Sequence, residues 1–273
     1  MLIYDVMHKN LFDQLNQEIQ WLDDVTHLGG KLPRRFALQA SIDKCSEENS
    51  NLEIVPLYRH PMDKYIKELP FSPTVESIRQ TLEQKCNCKL NHAIIQCYRD
   101  GEDYISEHAD KTLDVAKDSL IVNYTAGQSR ILKLRSKDPI RVQRSVQQSA
   151  NVYDIKNIEL VNDSAFLLDM NTNRFYKHSI RQDSTIVLPR ISITFRNIHT
   201  FYTRDQEGHI VSVFGKGCGF KDDNLTKDEL YKAWSTENQS SKYSWNELYA
   251  RGYSEVGCFT SHNNTTVELK FMI

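Results

Sequence analysis

The sequence predicts an α+β protein whose core is a jelly-roll-type double sheet, with helices before it and an extension after it. Two observations carry this. Six short strand-like stretches follow residue 91: Ala93–Tyr98, Ser119–Tyr124, Arg130–Leu134, Ser164–Met170, Phe175–His178 and Arg190–Arg196. Turn signals such as Gly127 and Asp138-Pro139 separate several of them. His108, Asp110 and His178 lie on or beside these stretches, which places a metal ion inside the mouth of the double sheet.

In chain order, residues 8–22 carry Leu11, Leu15, Ile19 and Leu22 at helical spacing, flanked by Phe12 and Trp21, so an amphipathic core-facing helix is expected. Gly29-Gly30 then breaks the chain. Lys31-Leu-Pro-Arg-Arg35 is a short basic loop leading into Phe36–Ala40; it reads as a charged edge or as a lid over a substrate. Residues 43–51 are polar and expected as a loop. Pro56, Pro61 and Pro70 favour extended or turn structure. Ser72-Pro73 opens a helix, with Ser as N-cap and Pro at the first position. Val75, Ile78 and Leu82 are its core face, and it ends near Cys86-Asn87. After the strands begin, residues 137–157 contain Gln143, Gln147, Gln148 and several Ser and Asn, and read as an insertion loop.

Beyond Thr200 the composition shifts. Gly215-Lys-Gly-Cys-Gly219 lacks the spacing and the Lys-Ser/Thr ending of a phosphate loop. Thr226 and Glu229 form a capping box that opens a helix over 226–235, with Leu230 and Trp234 buried. Trp245, Leu248 and Tyr249 make a second small apolar cluster. This tail has too little apolar content to fold alone, so it docks on the main domain.

At 273 residues the chain can bury a sizeable core. A formal net charge of −2 provides no global basic field that would draw it onto nucleic acid, although a local basic face is compatible with it. Six cysteines are scattered, and Met1–His8 lacks the basic and apolar regions of a secretory signal, so free thiols in a reducing compartment are expected. No window reaches the apolar length of a membrane span. Cys86-Asn-Cys88 lacks a second closely spaced Cys or His pair to complete a zinc site, so ordinary thiols are expected there.

The chain turns on the stretch from Gln96 to Asp110. It starts as a strand, bends at Asp100-Gly101 and delivers His108 and Asp110 on one face, with Ala109 turned away. Such a pair alone is better explained by a surface histidine beside a solvated aspartate. His178 and the alternating strand Arg190-Ile-Ser-Ile-Thr-Phe-Arg196 change that balance. Two histidines and one carboxylate form a facial triad that binds Fe(II) and leaves positions open for substrate and oxygen. Arg190, Ser192, Thr194 and Arg196 share a strand face, and an arginine fork there fits a carboxylate bidentately.

Three patterns then stand in order. Gln96–Asp110 matches Asn-x-Tyr-x-Asp-Gly-x-Asp-x-Ile-x-x-His-x-Asp except for Gln96 in place of Asn. Thr172–His178 matches Thr-Asn-x-x-x-x-His, and Arg190–Arg196 matches Arg-x-x-x-Thr-Phe-Arg. Gly127–Arg130 matches a Gly-x-x-Arg that follows the central strand. The chain resembles the AlkB-like Fe(II)/2-oxoglutarate dioxygenases, especially their eukaryotic DNA-repair branch, over about residues 60–200. Its tail resembles extensions of fungal members.

The resemblance implies a double-stranded β-helix (jelly-roll) core over 91–200, an N-terminal helical and lid region over 1–90, and a C-terminal extension over 201–273. It implies Fe(II) on His108, Asp110 and His178. The cosubstrate 2-oxoglutarate would have its distal carboxylate on Arg190, with Gln96, Tyr98 and Ser192 alongside and Arg196 near the carboxylate beside the iron. Molecular oxygen is the other reactant. The implied reaction is hydroxylation of an N-methyl group on a DNA or RNA base, after which the hemiaminal releases formaldehyde. Lys31, Arg34 and Arg35 would then lie at the substrate mouth. Lys111-Thr112 depart from the branch, in which an acidic residue commonly follows the iron-binding Asp. The alternative is a hydroxylase of a protein side chain or small molecule, for which Lys111 at the pocket rim would meet an anionic substrate. A monomer in the nucleus or cytoplasm, neither secreted nor in a membrane, is expected.

Overall fold

The computed structural model describes residues 1–23, 32–45, 51–59, 66–145, 148–218 and 227–249. The N-terminal part contains β1 (Leu2–Ile3), α1 (Phe12–Glu18), β2 (Arg35–Ala40), β3 (Asp43–Lys44), β4 (Glu53–Pro56), β5 (Leu69–Pro70) and α2 (Pro73–Cys86). The middle contains β6 (His92–Tyr98), β7 (Ile105–His108), β8 (Leu120–Gly127), β9 (Arg130–Ser136), β10 (Ile140–Ser145), β11 (Gln148–Val152), β12 (Ile155–Leu160), β13 (Ser164–Asp169), α3 (Met170–Phe175), β14 (Tyr176–Ile180) and β15 (Arg190–Arg196). Then follow β16 (Thr200–Arg204), β17 (Ile210–Gly215), α4 (Lys227–Gln239) and α5 (Trp245–Tyr249).

The protein is mostly β. A seven-stranded sheet, β1-β13-β8-β15-β6-β2-β5, faces a four-stranded sheet, β12-β9-β14-β7, in a jelly-roll-type core. The alternation of β15 shows why. Ile191, Ile193 and Phe195 are fully buried on one face, packed with Leu15 of α1 and with Val75, Ile78 and Leu82 of α2. Burying each such side chain contributes roughly 1.5–3 kcal/mol. The opposite face carries Arg190, Ser192, Thr194 and Arg196 into the space between the sheets. Neighbouring β8 and β13 divide in the same way. Val122, Tyr124, Ala165 and Leu167 join the helix side, while Ile121, Phe166 and Leu168 join Leu132, Leu134, Leu160 and Ile180 between the sheets.

Several expectations need correcting. The first helix covers only Phe12–Glu18, not residues 8–22. His8 has φ +55°, which a right-handed helix cannot accommodate, and Ile19 is already extended at the C-cap. Leu22 instead forms a bridge with Phe36, exchanging both main-chain hydrogen bonds at 2.8 and 3.0 Å. The stripe itself is real, since Leu11, Leu15 and Ile19 are buried. Residues 137–157 are not a loop: β10 and β11 pair from Ile140↔Val152, and β12 begins at Ile155. Main-chain pairing there overrides the low strand preference of Gln, Ser and Asn. Asp43–Lys44 is a strand as well. Met170 starts α3 instead of ending a strand, because Asp169 caps it by accepting from the Thr172 N–H at 2.6 Å.

The α2 boundaries agree with expectation, ending at Asn87 in the left-handed region at φ +47°. Ser72 sits at its N-cap without a side-chain cap bond; Glu18 of α1 accepts from the Thr74 N–H at 2.9 Å instead. The described residues among the first ninety are not mainly helical. β1, β2 and β5 complete the large sheet, and β3 and β4 join β16 and β17 in a third sheet, β17-β16-β4-β3. Neither residue 90 nor residue 200 is therefore a boundary in the sheets. In the tail, Leu230, Ala233 and Trp234 of α4 and Tyr249 of α5 pack on Leu113 of the main body. The Gly29-Gly30 break, Lys31, Pro61, Gly219 and the Thr226 half of the capping box lie outside the described residues.

Candidate active site

The bend after β6 is built by hydrogen bonds. Asp103 accepts from the Arg99 N–H at 2.8 Å and pairs with its guanidinium, while buried Arg130 donates to the carbonyls of Asp100, Asp103 and Arg181 at 2.7–3.0 Å. Gly101 approaches the Asp183 carbonyl so closely that an added Cβ would stand 1.7 Å from it, which explains the glycine. The bend directs β7 across the cavity. His108 at its end is paired in register with His178 on β14.

Three ligand atoms converge there. The Asp110 Oδ1 lies 3.8 Å from His108 Nε2 and 3.7 Å from His178 Nε2. His108 Nδ1 is 2.8 Å from the Ser106 carbonyl, which can only accept. Nδ1 therefore carries the proton and Nε2 presents its lone pair. Arg196 donates to the other aspartate oxygen, Oδ2, from Nε at 3.0 Å and Nη2 at 2.6 Å. The Arg196 fork lies over the Tyr58 ring at 4.3 Å. Asn173 of α3 holds the Asp110 backbone from both sides, accepting from its N–H and donating to its carbonyl, each at 2.9 Å. Burial pushes the Asp110 carboxyl upward, the charge and hydrogen bonds of Arg196 pull it down, and the net shift is downward, so it is ionised. Burial lowers both histidines against the opposing pull of Asp110, which keeps them neutral and able to ligate. Two neutral imidazoles and one carboxylate, held from behind, suit Fe(II).

The second half of the site is an arginine without an anion. Arg190 is 1% exposed. Its Nη2 donates to Thr125 Oγ1 at 2.9 Å and to Asn123 Oδ1 at 3.2 Å, with Ser192 Oγ at 3.4 Å. Nε and Nη1 are buried with no hydrogen-bond partner among the described residues. Burial lowers this guanidinium to about 10, with Tyr98 opposing, so it is charged at neutral pH. A buried cation with two unused donors is costly until a carboxylate meets it, so the site fits 2-oxoglutarate. Tyr98 lies opposite Arg190 in register, and its hydroxyl donates to Gln96 Oε1 at 3.3 Å.

The two histidines, Asp110, Arg196, Arg190, Asn123, Ser192, Tyr98 and Gln96 line one cavity of about 540 Å³, whose apolar wall includes Leu132, Phe166, Leu168 and Ile180. Arg34 is at its mouth, donating from Nη1 to the Tyr104 carbonyl at 2.8 Å. Arg35 does not line it; strand alternation turns it away, 3.7 Å from Asp23. Lys111 does line it.

The sequence pattern of the 2OG-Fe(II) oxygenase superfamily matches residues 5–196. The chain belongs to the 2OG-Fe(II) oxygenase superfamily. Human DNA oxidative demethylase ALKBH2 is 30% identical over 129 residues, 47% of this chain and 48% of that protein. The Bos taurus protein of the same name is 28% identical over 129 residues, 47% and 45% of the two chains. The chain thus matches about half the length of these curated relatives. The solved structure of OsALKBH1 aligns with a TM-score of 0.41 at 9% identity, covering 72% of this chain and 97% of that one.

Within this 2OG-Fe(II) oxygenase some contributors are invisible to motif reading. Asn123 donates to Ser192 and Thr194 at 2.8 Å and accepts from Arg190; it can be found only by noticing a polar residue on the cavity face of an apolar strand. Tyr58 is brought in from a loop before α2, and Asn238 from α4. Asn238 Oδ1 accepts from the Ala109 N–H at 2.8 Å, between the two ligands of the His-x-Asp pair. Glu237, fully buried, accepts from the Thr112 N–H at 3.1 Å and from the Tyr249 hydroxyl at 2.6 Å. Lys216 donates to the carbonyls of Thr112 and Val115 at 2.9 and 2.6 Å. The tail therefore grips the loop that follows the metal-binding aspartate.

Proposed function

We propose that this protein is an Fe(II)- and 2-oxoglutarate-dependent dioxygenase that oxidatively demethylates alkylated bases in DNA or RNA. The observation that carries the oxygenase chemistry is the pairing, in one cavity, of the His108–Asp110–His178 donor set with the unpaired buried fork of Arg190. The similarity to proteins named DNA oxidative demethylase supports a nucleic-acid substrate. Iron, 2-oxoglutarate and oxygen supply the oxidising power, the cosubstrate leaving as succinate and carbon dioxide. The chain supplies positions. Arg190 would hold the distal carboxylate, with Thr125, Asn123 and Ser192 fixing its fork and Tyr98 and Gln96 beside it. Arg196 keeps Asp110 Oδ1 turned toward the histidines. The apolar wall excludes water, and a target base must leave its stack to enter. Residues 91–200 are the catalytic core of this reading, with Arg34 and the neighbouring N-terminal residues as its lid. Among the described residues five cysteines are free, which supports action in the nucleus or cytoplasm. No helix among them is long and apolar enough to cross a membrane.

The test is formaldehyde release from methylated single- and double-stranded DNA and RNA oligomers in the presence of Fe(II), 2-oxoglutarate and ascorbate, with succinate followed in the same tubes. Formaldehyde from at least one oligomer is expected. Succinate without formaldehyde from any of them would overturn the nucleic-acid reading and move the substrate to a protein side chain or small molecule.

A further inference from the structure

The residues from Ala109 to Thr112 belong to no strand or helix, so no ladder receives their peptide N–H groups. Ala109, Asp110 and Thr112 are buried, and a buried N–H needs an acceptor inside the protein. Each of the four finds a side chain. Ala109 donates to Asn238 Oδ1 at 2.8 Å and Asp110 to Asn173 Oδ1 at 2.9 Å. Lys111 donates to the Tyr58 hydroxyl at 3.2 Å and Thr112 to Glu237 Oε1 at 3.1 Å. Tyr58 and Asn173 lie within residues 5–196, the stretch that matches the superfamily pattern, whereas Glu237 and Asn238 lie beyond it. Lys216, also beyond it, donates to the Thr112 carbonyl at 2.9 Å.

Two peptide planes separate His108 from Asp110, and planar peptides leave only φ and ψ to turn one ligand against the other. Asn173 pins the second plane through the Asp110 N–H, and Asn238 pins the first through the Ala109 N–H. Without Asn238 the first plane is free to turn, and His108 Nε2 is no longer held 3.8 Å from Asp110 Oδ1. Asn238 is itself well anchored. Its neighbour Glu237 is fully buried, accepts from the Tyr249 hydroxyl at 2.6 Å, and takes the Lys137 ammonium on its main-chain carbonyl at 2.6 Å. Arg174, next to Asn173 on α3, donates to the carbonyls of Ser241 and Tyr243 at 3.0 and 2.6 Å. The helix that pins one plane is thus tied to the chain just after the helix that pins the other. All these bonds join the chain to itself, so the loop takes its ligating shape independently of the ion. On the reading that His108, Asp110 and His178 hold Fe(II), we infer that Asn238 is a positioning residue of the iron site, and that α4, outside the superfamily pattern, preforms the loop carrying two of its ligands.

The test measures Fe(II) affinity of the full chain by anaerobic equilibrium dialysis, together with the urea midpoint and the exchange of single amides by NMR. Asn238→Ala is expected to weaken Fe(II) binding about tenfold, the lower end for lost partners behind metal ligands, and to speed exchange at the Ala109 amide. Asn238→Asp keeps an oxygen acceptor of the same reach and is expected to restore most of the affinity. A merely structural role would lower the urea midpoint and leave the iron affinity of the folded chain unchanged. That result, or an Asn238→Asp variant as weak as Asn238→Ala, overturns the inference and leaves the iron site standing. The metal-free wild type decides should a variant fail to fold. Its amides at 109–112 are expected to exchange far more slowly than those of an open loop, and exchange at open-loop rates overturns the inference. A wild-type chain that binds no Fe(II) overturns both the inference and the iron reading beneath it.

Discussion

Arg196 commits Nε and Nη2 to one oxygen of Asp110, and Nη1 to the Thr194 carbonyl at 3.2 Å. Family resemblance places this arginine beside the cosubstrate; the geometry makes it first the residue that orients a metal ligand. Arg196→Ala is therefore expected to weaken Fe(II) binding by about 10- to 100-fold, the range for lost partners behind metal ligands, as measured by anaerobic equilibrium dialysis. Unchanged iron affinity would show that Asp110 needs no such support. The ligands themselves were legible because each sits in a local pattern: His108 and Asp110 two apart, and four alternating polar residues on β15. Their supports were not. Asn173 is 63 residues from Asp110, and Asn238 is 129 from Ala109. Nothing in local spacing brings such pairs together; only the closed fold does.

The elements were legible where apolar periodicity dominates. β15 runs over the residues its alternation predicts, and α2 starts and stops at its Pro and Asn signals. They were obscured where a distant partner decides. Leu22 continues the helical stripe by spacing, yet β2 captures it. The Gln- and Ser-rich stretch becomes β10 and β11 because each strand has the other to pair with. The same lesson applies to capping. Ser72 has the residue type and place of an N-cap, but Glu18 of α1 supplies the acceptor for the Thr74 N–H, joining two helices that cover the same sheet face. Glu18→Ala is expected to lower global stability by about 1 kcal/mol, read as a shift in urea midpoint at constant slope, with iron binding untouched. No shift in midpoint would assign the cap to Ser72 after all.

The whole molecule brings its ends to its middle. β1 and β2 complete the large sheet, β16 pairs with β4 across the third sheet, and α4 presses Glu237 and Asn238 against the loop after the metal ligands. The buried pair Arg59–Asp114 fastens the same loop, with Arg59 also donating to the Gly217 carbonyl at 2.8 Å. The tail was recognisable in sequence as a docking segment from Leu230 and Trp234, but its place at the active site was not, because Asn238 carries no motif. On the proposed function, the iron donors and Arg190 are two halves of one cosubstrate site. The most direct test is the amount of Fe(II) and of 2-oxoglutarate bound per chain without oxygen, in wild type, Asp110→Ala and Arg190→Met. One of each should bind wild type, Asp110→Ala should lose the iron, and Arg190→Met should keep the iron and lose the cosubstrate. Full iron in Asp110→Ala, or undiminished 2-oxoglutarate in Arg190→Met, would show that these residues do not hold iron and cosubstrate together.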